Sequence, residues 1–303
     1  MLNSKKIMMS ILLFVFLSGI AALAQEKDSA VTVTGWKKSL ISDITATQTA
    51  YSDSWKGGAI GSFNWVGNLN GAAEKRLKPW LDFRSTLKLS FGQTITQDTA
   101  RHWNKPLKST DLIDWESVGR IIIHAYVDPY VAFRVESQFM DASIEAKKRN
   151  FSPTTLTESA GLSHRFYERE NDQITSRLGL ALRETFRTGI TDSVLLTTED
   201  STFVDGGLES VTDLSLTLSD KVNYTGKLTL YKAFFFSQKD DFKGTPQEDY
   251  WKSVDVNWEN IIAASLSKII TVNFYTQFLY DKQVDKRGRL KETLGIGFVF
   301  KLA

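Results

Sequence analysis

Residues 254–303 read VDVNWENIIAASLSKIITVNFYTQFLYDKQVDKRGRLKETLGIGFVFKLA, and three apolar/polar alternations run through them to the last residue. In the first, Val254, Val256, Trp258, Ile262, Ala264 and Leu266 share one parity, against Asp255, Asn257 and Glu259. In the second, Ile270, Val272, Phe274, Phe278 and Tyr280 oppose Thr271, Asn273, Tyr275 and Gln277. The third sets Leu294, Ile296, Phe298, Phe300 and Leu302 against Thr293, Gly295, Gly297, Val299 and Lys301. A period of two is the signature of a β-strand with one apolar and one polar face. A last strand of this kind, rich in aromatic residues, is what a closed transmembrane barrel needs to pair with its first strand and leave no edge unsatisfied in lipid.

The other end of the chain predicts export. Lys5 and Lys6 precede an apolar run from Ile7 to Ile20, and Ala22-Leu23-Ala24 is a small-x-small cleavage site before Gln25. This is the pattern of a secretory signal peptide over residues 1–24, cut between Ala24 and Gln25. Its apolar run is short for a membrane-spanning helix. Residues 25–35 then form a short periplasmic segment, and 36–303 the barrel. The chain has no cysteine, which excludes lipoprotein acylation, disulfides and thiolate metal sites. No later apolar run is long enough for a helical span, and the mean hydropathy is −0.21, as expected when only alternate residues face lipid. Lys+Arg number 37 against 35 Asp+Glu, so loss of Lys5 and Lys6 leaves a mature chain close to neutral. That balance argues against nucleic acid as a partner and leaves outer-membrane lipid as the expected surroundings.

Strands follow one another along the whole mature chain. Ser39–Tyr51 and Ala59–Asn70 form a diluted first pair around Gly57-Gly58. Trp80–Thr94 is clear, with Leu81, Phe83, Leu87, Leu89 and Phe91 opposing Asp82, Arg84, Thr86, Lys88 and Ser90. Leu112–Val127 and Tyr130–Met140 join at Asp128-Pro129. Leu156–Arg169 and Ile174–Arg187 follow, then Leu208–Ser219 and Val222–Phe236. The total is about twelve, an even number as single-chain bacterial barrels require. Short and long connections alternate, with Gly71–Pro79 as the exception. Trp36, Trp80, Tyr130, Tyr167, Phe234, Phe235, Trp251 and Tyr280 gather near strand ends, as interfacial girdles do.

The segments GWKKS (35–39), AYSDSWKGG (50–58), VDVNWEN (254–260), TQFLYD (276–281) and ETLGIGFVFKL (292–302) resemble an outer-membrane family of Bacteroidota-type bacteria. That family is catalogued as a domain of unknown function, number 3078. The resemblance spans Gly35 to Leu302 and is strongest after Val254. The family often has asparagine before the tryptophan of the Gly-Gly segment, where this chain has Ser54. The resemblance implies an outer-membrane barrel and brings no catalytic residues with it.

Enzyme signals are sparse. The three histidines are His102, His124 and His164. Ser163 and His164 are neighbours, but strand neighbours point to opposite faces and cannot form a catalytic pair. Asp240-Asp241, Glu248-Asp249 and Glu199-Asp200 lack the dense spacing and turn glycine of a calcium loop and read as solvated loops. Phosphate loops and paired-histidine metal motifs are absent, so no cofactor is expected. Four Asp-Ser/Thr-x segments, at Asp28, Asp98, Asp192 and Asp200, resemble an O-glycosylation acceptor pattern of the same bacterial group.

The inward parity carries the functional question. It places Arg84, Lys88, Arg120, Arg134, Arg165, Arg169, Arg177, Arg183, Arg187, Lys227, Lys291 and Lys301 in the lumen. The acids on that face are Asp82, Glu116, Glu136, Asp213, Asp255 and Glu259. If water fills the lumen, the cationic surplus predicts an anion-selective passage for small solutes, with Arg177, Arg183 and Arg187 as successive steps. If the charges interlock, the barrel is structural and acts through its loops. Both readings stand on the sequence, and neither names a protein partner.

Overall fold

The computed structural model describes residues 35–52, 60–144, 147–169, 172–192 and 196–301. The expected signal peptide, its Ala24/Gln25 junction, Ser54, the Asp28 segment, most of the Asp192 segment and Leu302 lie outside those residues. Fourteen strands are described: β1 (Lys37–Thr49), β2 (Ser62–Lys78), β3 (Leu81–Thr96), β4 (Leu107–Ile121), β5 (Asp128–Ser137), β6 (Met140–Asp141), β7 (Arg149–Asn150), β8 (Thr154–Arg169), β9 (Asp172–Asp192), β10 (Thr197–Ser219), β11 (Val222–Phe236), β12 (Val254–Ser265), β13 (Ile270–Tyr280) and β14 (Arg289–Lys301). Twelve of them close one antiparallel barrel in the order β1-β14-β13-β12-β11-β10-β9-β8-β5-β4-β3-β2. The remaining two, β6 and β7, pair within the connection between β5 and β8. Closure runs from Ile41 opposite Lys301 to Thr45 opposite Gly297. No helix among the described residues is long and apolar enough to cross a membrane.

The outer wall is apolar. Leu228, Trp258, Phe278 and Leu290 lie side by side across β11 to β14. Leu178, Leu180, Leu294, Ile296 and Phe298 are each more than half exposed. A soluble domain would bury such a belt, whereas lipid is its natural solvent. The inner wall is reversed: it is polar, and much of it is buried. Ser163 and Val211 are 2% exposed and Tyr231 3%.

Several boundaries differ from the sequence reading. Strand β2 continues through Gly71–Lys78, so the one irregular connection disappears and the turn is only Pro79-Trp80. Small and charged residues had hidden the alternation there. Strand β10 begins at Thr197, eleven residues before Leu208, because β9 and β10 extend as a hairpin past their neighbours. Asp128 and Pro129 belong to β5, and the turn before them is 122–127. Tyr130 is not a girdle residue: it faces inward and is 2% exposed. Its ring needs bare backbone beneath it. A Cβ on Gly179 would fall 2.3 Å from the Ala160 carbonyl oxygen and 2.7 Å from Tyr130 Oη. Trp251 likewise packs against Phe236 (centroids 6.4 Å apart) in the long-loop region.

Candidate functional site

Strand parity brings the inward charges together, and barrel closure decides which of them meet. Lys88 on β3 reaches Glu259 on β12 at 3.0 Å, with β2, β1, β14 and β13 between them along the wall. Lys227 on β11 reaches Glu116 on β4 at 2.9 Å, again from the opposite wall. Glu116 also accepts from Arg177 on β9 at 2.8 Å, so one carboxylate on β4 holds two cations that flank β10. Arg177 lies 3.5 Å from Asp213 and stacks 5.6 Å from the Tyr130 ring centroid.

Further clusters line the lumen. Arg134 donates twice to Asp114 (2.8 and 3.0 Å) and lies 2.9 Å from Glu136. Arg183 forks onto Asp205 (2.8 and 3.2 Å), reaches Asp255 at 3.0 Å, and lies 3.6 Å over the Tyr231 ring. Toward the short-turn end, Asp82 is held by Arg120 (2.6 Å) and Arg76 (2.9 Å). Lys291 on β14 donates to Thr110 Oγ1 on β4 at 3.0 Å. Charge-assisted, forked contacts of this kind are the strong ones in a low-dielectric interior.

Not every expected lumen residue joins this network. Arg84 has inward parity on β3 but is exposed near the short-turn mouth. Arg187 is exposed in the β9–β10 extension, opposite Ser201, and makes no ion pair among the described residues. Arg177, Arg183 and Arg187 are therefore not a ladder of unmatched cations, because the first two are paired. The sequence reading undercounted inward acids. Asp43, Asp114, Asp205 and Glu209 are all buried, at 4–9% exposure. Asp205 lies between the sequence-predicted strands Ile174–Arg187 and Leu208–Ser219, and Asp43 sits in the diluted β1, where it accepts from Asn68 (2.8 Å). Asp114 and Glu209 share parity with residues already assigned inward and were legible.

Burial shows how the network fills space. Arg177 (5%), Val211 (2%), Tyr231 (3%), Glu259 and Thr271 (8% each) line the wall from β9 to β13, while Asp114 (4%) and Arg134 (8%) line β4 and β5. Inward side chains on both sides are thus covered by other parts of the same chain.

On the inner wall, Ser163 donates to the Asp128 carbonyl at 3.1 Å. His164 faces outward, meets the Tyr126 carbonyl through Nδ1, stacks on Tyr126 (centroids 4.1 Å apart) and meets Phe166 edge-on (4.6 Å). It belongs to an interfacial aromatic cluster. Asp249 engages Lys252 at 2.6 Å, and Glu248 accepts from the Gly244 N–H at 2.9 Å. No group of three or more metal-type ligands occurs among the described residues. In the 281–288 loop, hydrogen bonds from Arg287 hold the Asp285 carboxyl down at about 2.

Residues 46–142 match a family described as "Protein of unknown function (DUF3078)". The match falls in the first half of the chain, whereas the resemblance read from sequence was strongest after Val254. No curated protein matches the chain. Among solved structures, the barrel is similar to the translocator domain of the autotransporter NalP from Neisseria meningitidis. The identity is 10%, the TM-score 0.39, and 98% of each chain is covered. It is also similar to an outer membrane channel from Pseudomonas putida F1, at 11% identity and TM-score 0.39, covering 91% of this chain and 100% of that one. The NanC porin compares at 10% identity and TM-score 0.37, covering 87% and 100%. At such values the likeness says nothing about a pore, a solute or an exported cargo.

Proposed function

We propose that this chain is an outer-membrane barrel whose lumen is closed by its own ion pairs and which works through its loops and outer wall. The observation that carries this reading is Glu116, which ties Arg177 and Lys227 together across the lumen. A water-filled pore would leave such charges solvated, and isolated exposed pairs would contribute little. Here Arg177 is buried and the Glu116 and Lys227 side chains are each only 11% exposed, and Lys88–Glu259 spans the barrel beside them. The apolar outer belt supports the membrane assignment, and the export pattern supports the outer membrane of a Gram-negative cell. With short turns on the periplasmic side, the extracellular surface includes, among the described residues, 97–106, the β6–β7 region, the β9–β10 hairpin, 237–253 and 281–288. We assign no catalytic role, because Ser163 and His164 point to opposite faces of the wall.

Conductance of the purified protein in a planar bilayer tests the closed lumen. The expected record shows no stable ohmic steps at neutral pH. A steady, anion-selective conductance would return the protein to the solute-channel reading.

The export assignment has its own test. N-terminal mapping of membrane-extracted protein should place the first residue at Gln25; a retained Met1 would overturn it.

A further inference from the structure

The outer wall carries one feature that a uniform lipid belt does not require. Along β1, β2 and β3 the outward rows are in register. Next to the short-turn end lie Trp36, Lys75 and Phe83. One row further on are Lys38, Ala73 and Ser85, followed by Leu40, Gly71 and Leu87. Successive rows are about 6.6–7 Å apart along the strands. Gly71 and Ala73 leave the wall thin between Leu40 and Leu87, and a groove of about 320 Å³ opens there, lined almost wholly by apolar atoms apart from the Lys38 end. Trp36 packs edge-on against Phe83 at 6.3 Å, and Lys75 Nζ lies 5.7 Å from the Trp36 ring centroid.

We propose that this groove binds one anionic glycerophospholipid of the periplasmic leaflet. Its phosphate is held between Lys38 and Lys75, and one acyl chain lies over Gly71. The polarity runs the right way for such a ligand. The cations and the interfacial tryptophan sit at the headgroup level, and the apolar trough continues from them toward the membrane centre. Lysines at the membrane surface attract anionic headgroups, and the trough adds apolar contact that a soluble phosphate cannot make. The site has room because Gly71 lacks a side chain. A Cβ there would sit 3.5 Å from Leu40 Cδ1 and 3.8 Å from Leu87 Cβ, which is ordinary contact, so a larger residue fills the groove without straining the strand.

The inference rests on the membrane reading of the outer wall. Failure of that reading would show separately, as a chain that stays soluble without detergent whatever the variant. The test is native mass spectrometry of the full-length protein in detergent, titrated with dimyristoylphosphatidylglycerol. Wild type should retain one lipid. Lys38→Gln/Lys75→Gln should retain it at least tenfold less, and so should Gly71→Leu, whose charges are intact. Gly71→Ala should fall between. Heat-modifiable migration on gels confirms that each variant is folded. Equal retention by all variants would overturn the proposal. Displacement of the lipid by equimolar glycerol 3-phosphate would also overturn it, since the groove would then contribute nothing.

Discussion

Glu116→Gln is expected to lower the unfolding free energy of the barrel by about 3–5 kcal/mol, the usual cost of removing one partner from a buried ion pair. The side chain is neutralised with little change of shape, yet Arg177 and Lys227 remain buried beside it. Arg177 is 5% exposed and lies opposite Val211, itself 2% exposed, and the Lys227 side chain is 11% exposed, so both cations have little access to water. The control is the triple replacement Glu116→Leu, Arg177→Met and Lys227→Met. Exchanging a buried charge triad for apolar side chains of similar size is often close to neutral, and Asp213, the further neighbour of Arg177, is 35% exposed and keeps its contact with water. Urea unfolding in lipid vesicles measures both. A Glu116→Gln barrel within about 0.5 kcal/mol of wild type would mean that the lumen is hydrated and its charges screened, as for a surface pair. The closed-lumen reading would then fail.

Phe274→Arg is expected to cost about 2–4 kcal/mol, the range for an arginine at the bilayer midplane of a barrel. Phe274 sits in the middle of β13, between Ile262 on β12 and Leu294 on β14. Leu294 is 67% exposed on the outer wall, so the row containing Phe274 faces lipid. Leu290→Arg is the matched control. It lies on the outer wall at the long-loop end of β14, where the same substitution should cost about 0–1 kcal/mol. The same unfolding assay separates the two. Equal costs at both positions would place the membrane differently along the strands.

How much of this molecule is legible in its residues depends on the range of the interaction concerned. Strands β3, β12, β13 and β14 are plain in the sequence because their side chains alternate between lipid and lumen, and that alternation is a local property of the extended backbone. The alternation fails where neither face is strongly apolar. Gly71–Lys78 carries small residues on the thin wall and charges at the membrane edge, and its strand pairing is visible only once Lys75 is found opposite Phe83. Thr197–Gly207 is polar because the β9–β10 hairpin stands past its neighbours, so no lipid face marks it as strand.

The lumen divides in the same way. That Lys88, Arg120, Arg134, Arg177, Arg183, Asp82, Glu116, Asp255 and Glu259 point inward follows from parity alone. That Lys88 meets Glu259, 171 residues away, does not. Such a contact depends on the number of strands, their register and the closure of β1 on β14, which together set the width of the barrel and the height of each charge within it. A count of inward cations and acids describes an open anionic pathway and an interlocked core equally well. Only the closed barrel brings Glu116 within reach of Arg177 and Lys227 at once, and electrostatic energy depends on those distances rather than on the tally of charges.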